Sequence, residues 1–249
     1  MDTAAAIRKP AGTKRTAVID IHSHILPCMD DGSRSVEESL QMLRALKEQG
    51  IVSVAATSHF YGMKDSPQSF LQRRGEAAAA LRQAMEPELP QLLLGAEVYY
   101  FDGITGAQDL DLLKLENTGY LLLEMPFFPW TERMLHDILT LQSRNGTSVI
   151  LAHVERYFPY QKKNVWAALH AEGVQMQCNA EAFLNWRTKC RALRMLRDGV
   201  VRFLGSDSHN MTARPPRMGE AAAVIEKALG ADFLKQLETE AEPAAEFAR

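Results

Sequence analysis

VIDIHSHILPCMDDGSRS, residues 18–35, joins an apolar run to two histidines one residue apart, His22 and His24, and within ten positions to Asp30 and Asp31. On an extended strand, side chains alternate between faces, so His22 and His24 point to one side and can chelate one ion. Six further apolar runs follow: IVSVAAT (51–57), QLLLGAE (91–97), GYLLLEM (119–125), TSVILAH (147–153), GVQMQCN (173–179) and VVRFLGS (200–206). Each has the length of a strand and is apolar throughout, as strands covered on both faces of a parallel sheet are.

Segments of helical period separate the runs. The first, VEESLQMLRALKEQG (36–50), has Ser35 as N-cap, Glu38 to complete a capping box and Gly50 as stop. SFLQRRGEAAAALRQAM (69–85), TERMLHDILTLQSRNG (131–146), NVWAALHAEG (164–173), FLNWRTKCRALRMLRDG (183–199) and MGEAAAVIEKALG (218–230) are the others. This alternation of seven strands with helices predicts an α/β fold and argues for an α/β barrel over an open sheet, with closure left open by periodicity alone. No Gly-rich phosphate loop follows the first run, which argues against a nucleotide-binding sheet. Residues 1–16 and 240–249 are expected to be flexible tails around one catalytic domain, 17–239, and 249 residues suit a single barrel.

Bulk properties exclude several functions. With 28 basic and 31 acidic residues spread along the chain, no basic face offers itself to nucleic acid or anionic lipid. Three separated cysteines make no disulfide framework, the apolar runs are too short for membrane insertion, and MDTAAAIRKPAGTKR lacks the apolar core of a secretory signal. A cytoplasmic location is expected.

The polar residues at the ends of the runs carry the chemistry. In order they are His22 and His24 with Asp31 beyond, then His59, Glu97, Glu124, His153 with Glu155 and Arg156, Asn179, and Asp207 with His209. Five of the seven histidines lie there, and only His136 and His170 fall in helical segments. Loops from all strands of a parallel barrel converge on its C-terminal face, so these residues are expected to meet. A lone buried histidine or glutamate is usually satisfied by hydrogen bonds, but nine donors at strand ends point to metal: His22, His24, Asp31, His59, Glu97, Glu124, His153, Asp207 and His209. Nine donors exceed what one ion with an open position uses, so two or three divalent ions are expected. Ions ~3.5–4 Å apart can hold a hydroxide nucleophile and neutralise a phosphoryl group. Asp30 reads as an acidic loop neighbour, and Asn179 as a loop-orienting or substrate-contacting residue.

Cys28 and Arg34 have the C-x5-R spacing of a cysteine phosphatase loop. The intervening MDDGS puts two carboxylates where backbone amides would wrap a phosphate, which would repel the substrate and disfavour a thiolate. That match is read as coincidence, and Cys178 and Cys190 receive no catalytic role.

The motifs HSHILPCMDDG, HVERY and SDSHNMTARPP, with TSHF, LLGAEVYY and YLLLEMP between them, resemble the polymerase-and-histidinol-phosphatase (PHP) superfamily. Within it, the span from Val18 to Leu229 is similar to the metal-dependent tyrosine-protein phosphatases of bacterial capsule and exopolysaccharide clusters. The resemblance implies a PHP-type distorted (β/α)7 TIM-like barrel with a trinuclear site, Mn2+ first, with Zn2+, Fe2+ or Co2+ as alternatives. It implies one ion on His22, His24, Glu97 and Asp207, a second on Glu97, Glu124 and His153, and a third on Asp31, His59 and His209. Arg156 and Arg214 match arginines that clamp phosphate, a role that suits the guanidinium fork. The implied substrate is phosphotyrosine in protein, with a bacterial tyrosine kinase as partner. A histidinol-phosphatase-like enzyme and a non-catalytic phosphotyrosine-binding regulator are the alternatives. Cys178, Glu181 and Val154 depart from the family pattern and bear on the substrate rim. Phe60, Tyr61, Tyr99, Tyr100, Phe101, Phe127, Phe128 and Trp130 are candidates for an apolar rim around an aryl ring.

Overall fold

A computed structural model describes residues 18–241 of the chain. The predicted tails fall outside these residues, apart from 240–241, which end the last helix. Every strand pair is parallel. The first run forms β1 (Val18–Ser23), but the second and third are each broken in two. They give β2 (Ile51–Ala56) with β3 (His59–Tyr61), and β4 (Gln91–Leu94) with β5 (Glu97–Tyr99). The remaining runs form β6 (Tyr120–Glu124), β7 (Ser148–Leu151), β8 (Gln175–Asn179) and β9 (Phe203–Gly205).

The breaks have a cause in hydrogen bonding. Thr57 N–H still donates to Ser23 O of β1 at 2.8 Å, but its hydroxyl takes the Ser23 N–H at 3.1 Å in place of a backbone carbonyl. Glu97 N–H then points at Thr57 O and Ser58 O, 3.1 Å from each, and this starts the β3–β5 pairing one step later. Pairing therefore falls into a three-stranded sheet, β1-β2-β4, and a six-stranded sheet, β3-β5-β6-β7-β8-β9. The last strand reaches the first through one bridge, Ser23 to Ser208, flanked by Asp207 N–H to His22 O and His24 N–H to Ser208 O. Among the described residues no continuous ladder closes the ring, so the parallel α/β fold stands and the closed barrel is not given by strand pairing.

The helices are α1 (Val36–Glu48), α2 (Pro67–Ala84), α3 (Glu132–Gln142), α4 (Lys163–Ala171), α5 (Ala180–Leu184), α6 (Lys189–Arg197), α7 (Met218–Leu229) and α8 (Ala231–Ala241). Ser35 Oγ accepts from Glu38 N–H at 3.2 Å, a cap that contributes about 1 kcal/mol. The Glu38 carboxylate reaches back to Arg34 N–H at 2.9 Å, one residue short of a strict capping box. The helix expected over 183–199 is split, because Asn185 Oδ1 accepts from Arg187 N–H and Thr188 Oγ bonds back to Ala182 O, a local alternative to helical bonding. α8 had no counterpart in the sequence reading. The main core lies where helices cover the sheets, as in Leu43, Leu46, Leu81, Ile138 and Leu141. A smaller cluster joins Ile19 and Ile21 of β1 to Leu122, Ile150 and Phe203 of the other sheet.

Candidate metal centre

All nine predicted donors meet at the C-terminal ends of the strands. His22 and His24 place their Nε2 atoms 3.3 Å apart, each 3.3 Å from Glu97 Oε2 and 3.6 and 3.4 Å, respectively, from Asp207 Oδ1. β3 and β5 pair His59 directly with Glu97, so His59 Nδ1 lies 2.9 Å from the same Glu97 Oε2 and 3.7 Å from Glu124 Oε2. His153 Nε2 lies 2.9 Å from Glu97 Oε1 and 3.5 Å from Glu124 Oε1. Asp31 Oδ1 joins the outer edge, 3.5 Å from His59 Nε2 and 3.4 Å from His209 Nε2. Donor atoms within 4.8 Å of one another form three groups: His24, Asp31, His59 and His209; His22, His24 and Asp207; His59, Glu97 and Glu124. The grouping differs from the implied sets, with His24 and His59 shared and His153 joined through Glu97 and Glu124.

The donor set fits metal. Glu97 Oε2, His59 Nδ1 and His209 Nε2 are buried polar atoms without a properly directed hydrogen bond, although imidazole nitrogens crowd the carboxylate. Such atoms are costly inside a protein unless an ion takes their lone pairs. Imidazole and carboxylate together suit zinc, manganese or iron.

Residues behind the donors aim them. Asp30, read from sequence as a mere neighbour, accepts from or pairs with His24 Nδ1 at 2.8 Å and also takes the N–H groups of His59 and Gly32, both at 2.9 Å. This leaves His24 Nε2 facing the centre, the role that a carboxylate behind a ligating histidine performs. Gln177, which sequence reasoning missed, places Oε1 3.2 Å from His22 Nδ1 and accepts His153 N–H at 2.7 Å. Its amide donates to Asn179 Oδ1, and Asn179 Nδ2 donates to Asp207 Oδ2, both at 2.8 Å. The signal was available: Gln177 and Asn179 alternate on one strand and so share a face. Gly205 permits this packing, since a Cβ there would stand 2.6 Å from His22 Cβ and 2.8 Å from Gln177 Nε2. His153 and Asp207 both adopt left-handed backbone, φ 32° and 49°, the kind of strain that folds hold at functional sites.

Without ions the cluster is a set of carboxylate–imidazole pairs. Burial opposes charge on His24, but Asp207, Asp30 and Glu97 outweigh it and raise its pKa well above the ordinary value. His153 is likewise lifted to about 9, burial being overcome by Glu124 and Glu97, and His59 is raised in the same sense. Glu97 and Asp207 are held well below the carboxylate range by their histidines despite burial. His209 goes the other way, to about 4, through burial and the nearby charge of His24. Protons thus occupy positions that cations would take, and metal loading must release them.

Arg156 and Arg214 both donate to Asp207 Oδ2, Arg214 at 2.7 Å, and both line a cavity of about 500 Å³ with Asn179, Glu181, Thr212 and Arg217. A second cavity, about 630 Å³, opens beside Asp31, His59 and Tyr61. Of the proposed aromatic rim, Tyr61 and Phe127 fit: they lie over His59 and His153 at 5.4 and 5.9 Å between ring centres, and Tyr99 contacts Tyr61. Phe128 is exposed and Phe101 is half-buried. Phe60, Tyr100 and Trp130 are core residues, with Tyr100 Oη bonded to Asp137. Glu155 is buried against Asn179 N–H, away from the three donor groups, and burial raises its pKa. His136 is exposed on α3, and His170 sits at the end of α4.

The Cys28–Arg34 loop cannot cradle phosphate as it stands. Cys28 N–H goes to Ser33 O, Gly32 N–H to Asp30, Ser33 N–H to His24 O and Arg34 N–H to Glu38. Four of its amides are thus already taken, one of them by Asp30 and one by Glu38 of α1.

Parallel strands with covering helices and a His/carboxylate cluster at their C-terminal ends, edged by two arginines, define the class as a metal-dependent hydrolase. The chain belongs to the capsular polysaccharide synthesis CpsB/CapC family, whose model matches residues 18–244. It is 30% identical over 233 residues to the tyrosine-protein phosphatase CpsB of Streptococcus agalactiae, covering 88% of this chain and 94% of that protein. It is 30% identical over 239 residues to the tyrosine-protein phosphatase YwqE of Bacillus subtilis, covering 90% of each. A solved structure from work on YwqE and Streptococcus pneumoniae CpsB, described as unique metal-dependent tyrosine phosphatases, superposes with a TM-score of 0.79 at 28% identity, over 92% of this chain and 95% of that one. A zinc-containing histidinol phosphate phosphatase of Lactococcus lactis shares the fold, with a TM-score of 0.56 at 14% identity over 86% of this chain and 94% of that one.

Proposed function

We propose that this protein is a metal-dependent protein-tyrosine phosphatase, with a bacterial tyrosine kinase of polysaccharide synthesis as its substrate, acting in the cytoplasm. One observation carries the reading: nine His, Asp and Glu donors converge beside two arginines that share one oxygen of Asp207. His22, His24, Asp31, His59, Glu97, Glu124, His153, Asp207 and His209 would hold two or three divalent ions, Mn2+ first. Ions so held lower the pKa of water toward 7 and neutralise charge on phosphoryl oxygens. Arg156 and Arg214 bind the phosphate dianion and keep it in register with the cluster, which their planar donor forks suit. Asp30 and Gln177 fix the imidazoles of His24 and His22. Tyr61 and Phe127 offer ring faces to the substrate's aryl group. The phenolate that leaves has a free pKa of about 10 and so needs only modest help. The chain order of the strands and the Ser23–Ser208 bridge support a distorted seven-stranded barrel as the finer description of the fold.

The test is phosphate release from a phosphotyrosine peptide and from histidinol phosphate, by metal-stripped protein before and after Mn2+ addition, and by Cys28→Ser. Mn2+-dependent release from the peptide, unchanged in Cys28→Ser, is expected. Release only from histidinol phosphate would move the protein to a small-molecule phosphatase. Metal-independent activity lost in Cys28→Ser would restore the cysteine loop.

A further inference from the structure

The cavity lined by Arg156 and Arg214 also takes in an ion pair, Glu181 with Arg217. Arg156 and Arg214 share Asp207 of the same lining, whereas Glu181 and Arg217 pair with each other. Arg217 is fully committed: Nε and Nη2 donate to both oxygens of Glu220, at 2.8 and 2.7 Å, and Nη1 donates to Glu181 Oε2 at 2.8 Å. Two carboxylates against one guanidinium leave this group one negative charge in excess, with Glu220 outside the cavity lining and Glu181 within it. Glu181 is held outward by α5, whose Ala180, Ala182 and Phe183 are buried while Glu181 is exposed. Glu220 already satisfies Arg217 from three residues away, so Glu181 is surplus to that pair.

We propose that Glu181 is a specificity-determining residue that favours a lysine or arginine close to the phosphotyrosine in the substrate chain. The inference rests on the phosphotyrosine reading above. A ligand that matches the cavity has a dianionic phosphate at one end and a cation within a few residues of it. The phosphate engages Arg156 and Arg214, and the cation engages Glu181. Because Glu181 is exposed, water and salt screen the attraction, so the effect is modest and falls on binding rather than on the chemical step.

The experiment measures kcat and KM of the Mn2+-loaded protein on three phosphotyrosine peptides of equal length, with lysine, alanine or glutamate flanking the phosphotyrosine on both sides. Wild type and Glu181→Gln are compared at low and high salt, with p-nitrophenyl phosphate as a substrate without flanks and histidinol phosphate in parallel. In wild type, KM is expected to be about threefold lower for the lysine peptide than for alanine, and higher for glutamate, with kcat unchanged. The preference disappears in Glu181→Gln and at high salt. A wild type indifferent to flanking charge, or a preference that survives Glu181→Gln, overturns the assignment while leaving the phosphatase reading intact. Release from histidinol phosphate and from none of the peptides overturns both.

Discussion

The inner and outer halves of the donor cluster are built differently. His22, His24, Glu97, His153 and Asp207 are all buried, at 5% exposure or less, and stand on strands or directly at their ends. His22, His24, His153 and Asp207 are braced from behind by Gln177, Asp30 or Asn179. Asp31, by contrast, has a side chain 67% exposed, on a loop, with His59, His209 and a distant Arg214 as its ionic neighbours among the described residues. The inner donors are fixed by folding; the outer one depends on the ion itself to order it. Preorganised ligands bind more tightly because less entropy is lost on binding.

The largest effect should come from Glu97, where four imidazoles converge on one carboxylate. Glu97→Gln is expected to lower phosphate release by roughly a thousandfold or more, as losing a charge-stabilising group in a dry site does, and to reduce bound metal measured by elemental analysis. Full metal content with near-normal turnover would place the chemistry elsewhere.

The adjacent aspartates sharpen the contrast. Asp30→Asn removes the charge behind His24 and is expected to weaken metal binding about 10–100-fold, although Asp30 stands outside all three donor groups. Asp31→Asn removes an exposed donor and should weaken only the most loosely held ion, leaving the others in place. Titrating stripped protein with Mn2+ by calorimetry distinguishes the two. If Asp31→Asn costs more affinity across all sites than Asp30→Asn, the outer position is the organising one and the comparison is reversed.

The aspartate pair also shows how far the sequence could be read. The seven apolar runs and the nine donors at their ends were legible because strands alternate faces and parallel strands gather their C-terminal ends. Asp30 and Asp31 were distinguishable only as neighbours in a loop. Which one turns inward depends on Gly32, where a Cβ would lie 2.3 Å from His24 O, a contact between residues eight apart that no local pattern announces. The strand break at Thr57 was hidden for the same reason: a hydroxyl chose a partner on another strand. Gln177 was visible by period yet carried no charge to draw notice. The split of α5 from α6 turned on side-chain bonds from Asn185 and Thr188 that compete with an otherwise helical sequence.

Protons and ions compete for the inner half, which makes its contribution to stability readable from pH. In ion-free protein His24, His59 and His153 bind protons more tightly folded than unfolded, so their contribution is complete below the ordinary histidine value near 6.5. It is lost as pH rises through the folded values, about 9 for His153. Glu97 and Asp207 act at the other end, where stability fades only as pH falls through their lowered values. Asp20, which burial pushes up to about 6, and His209, at about 4, have largely finished titrating before this range. Between pH 6.5 and 9 the raised imidazoles therefore dominate, and the thermal midpoint of stripped protein is expected to fall by roughly 3–8 °C. Loaded protein should hold or gain over the same interval, because rising pH removes the protons that compete with the ions. Parallel decline of both forms in a calorimetric scan would mean that the cluster's protons do not set the stability, and that inner donors owe their order to the surrounding fold alone.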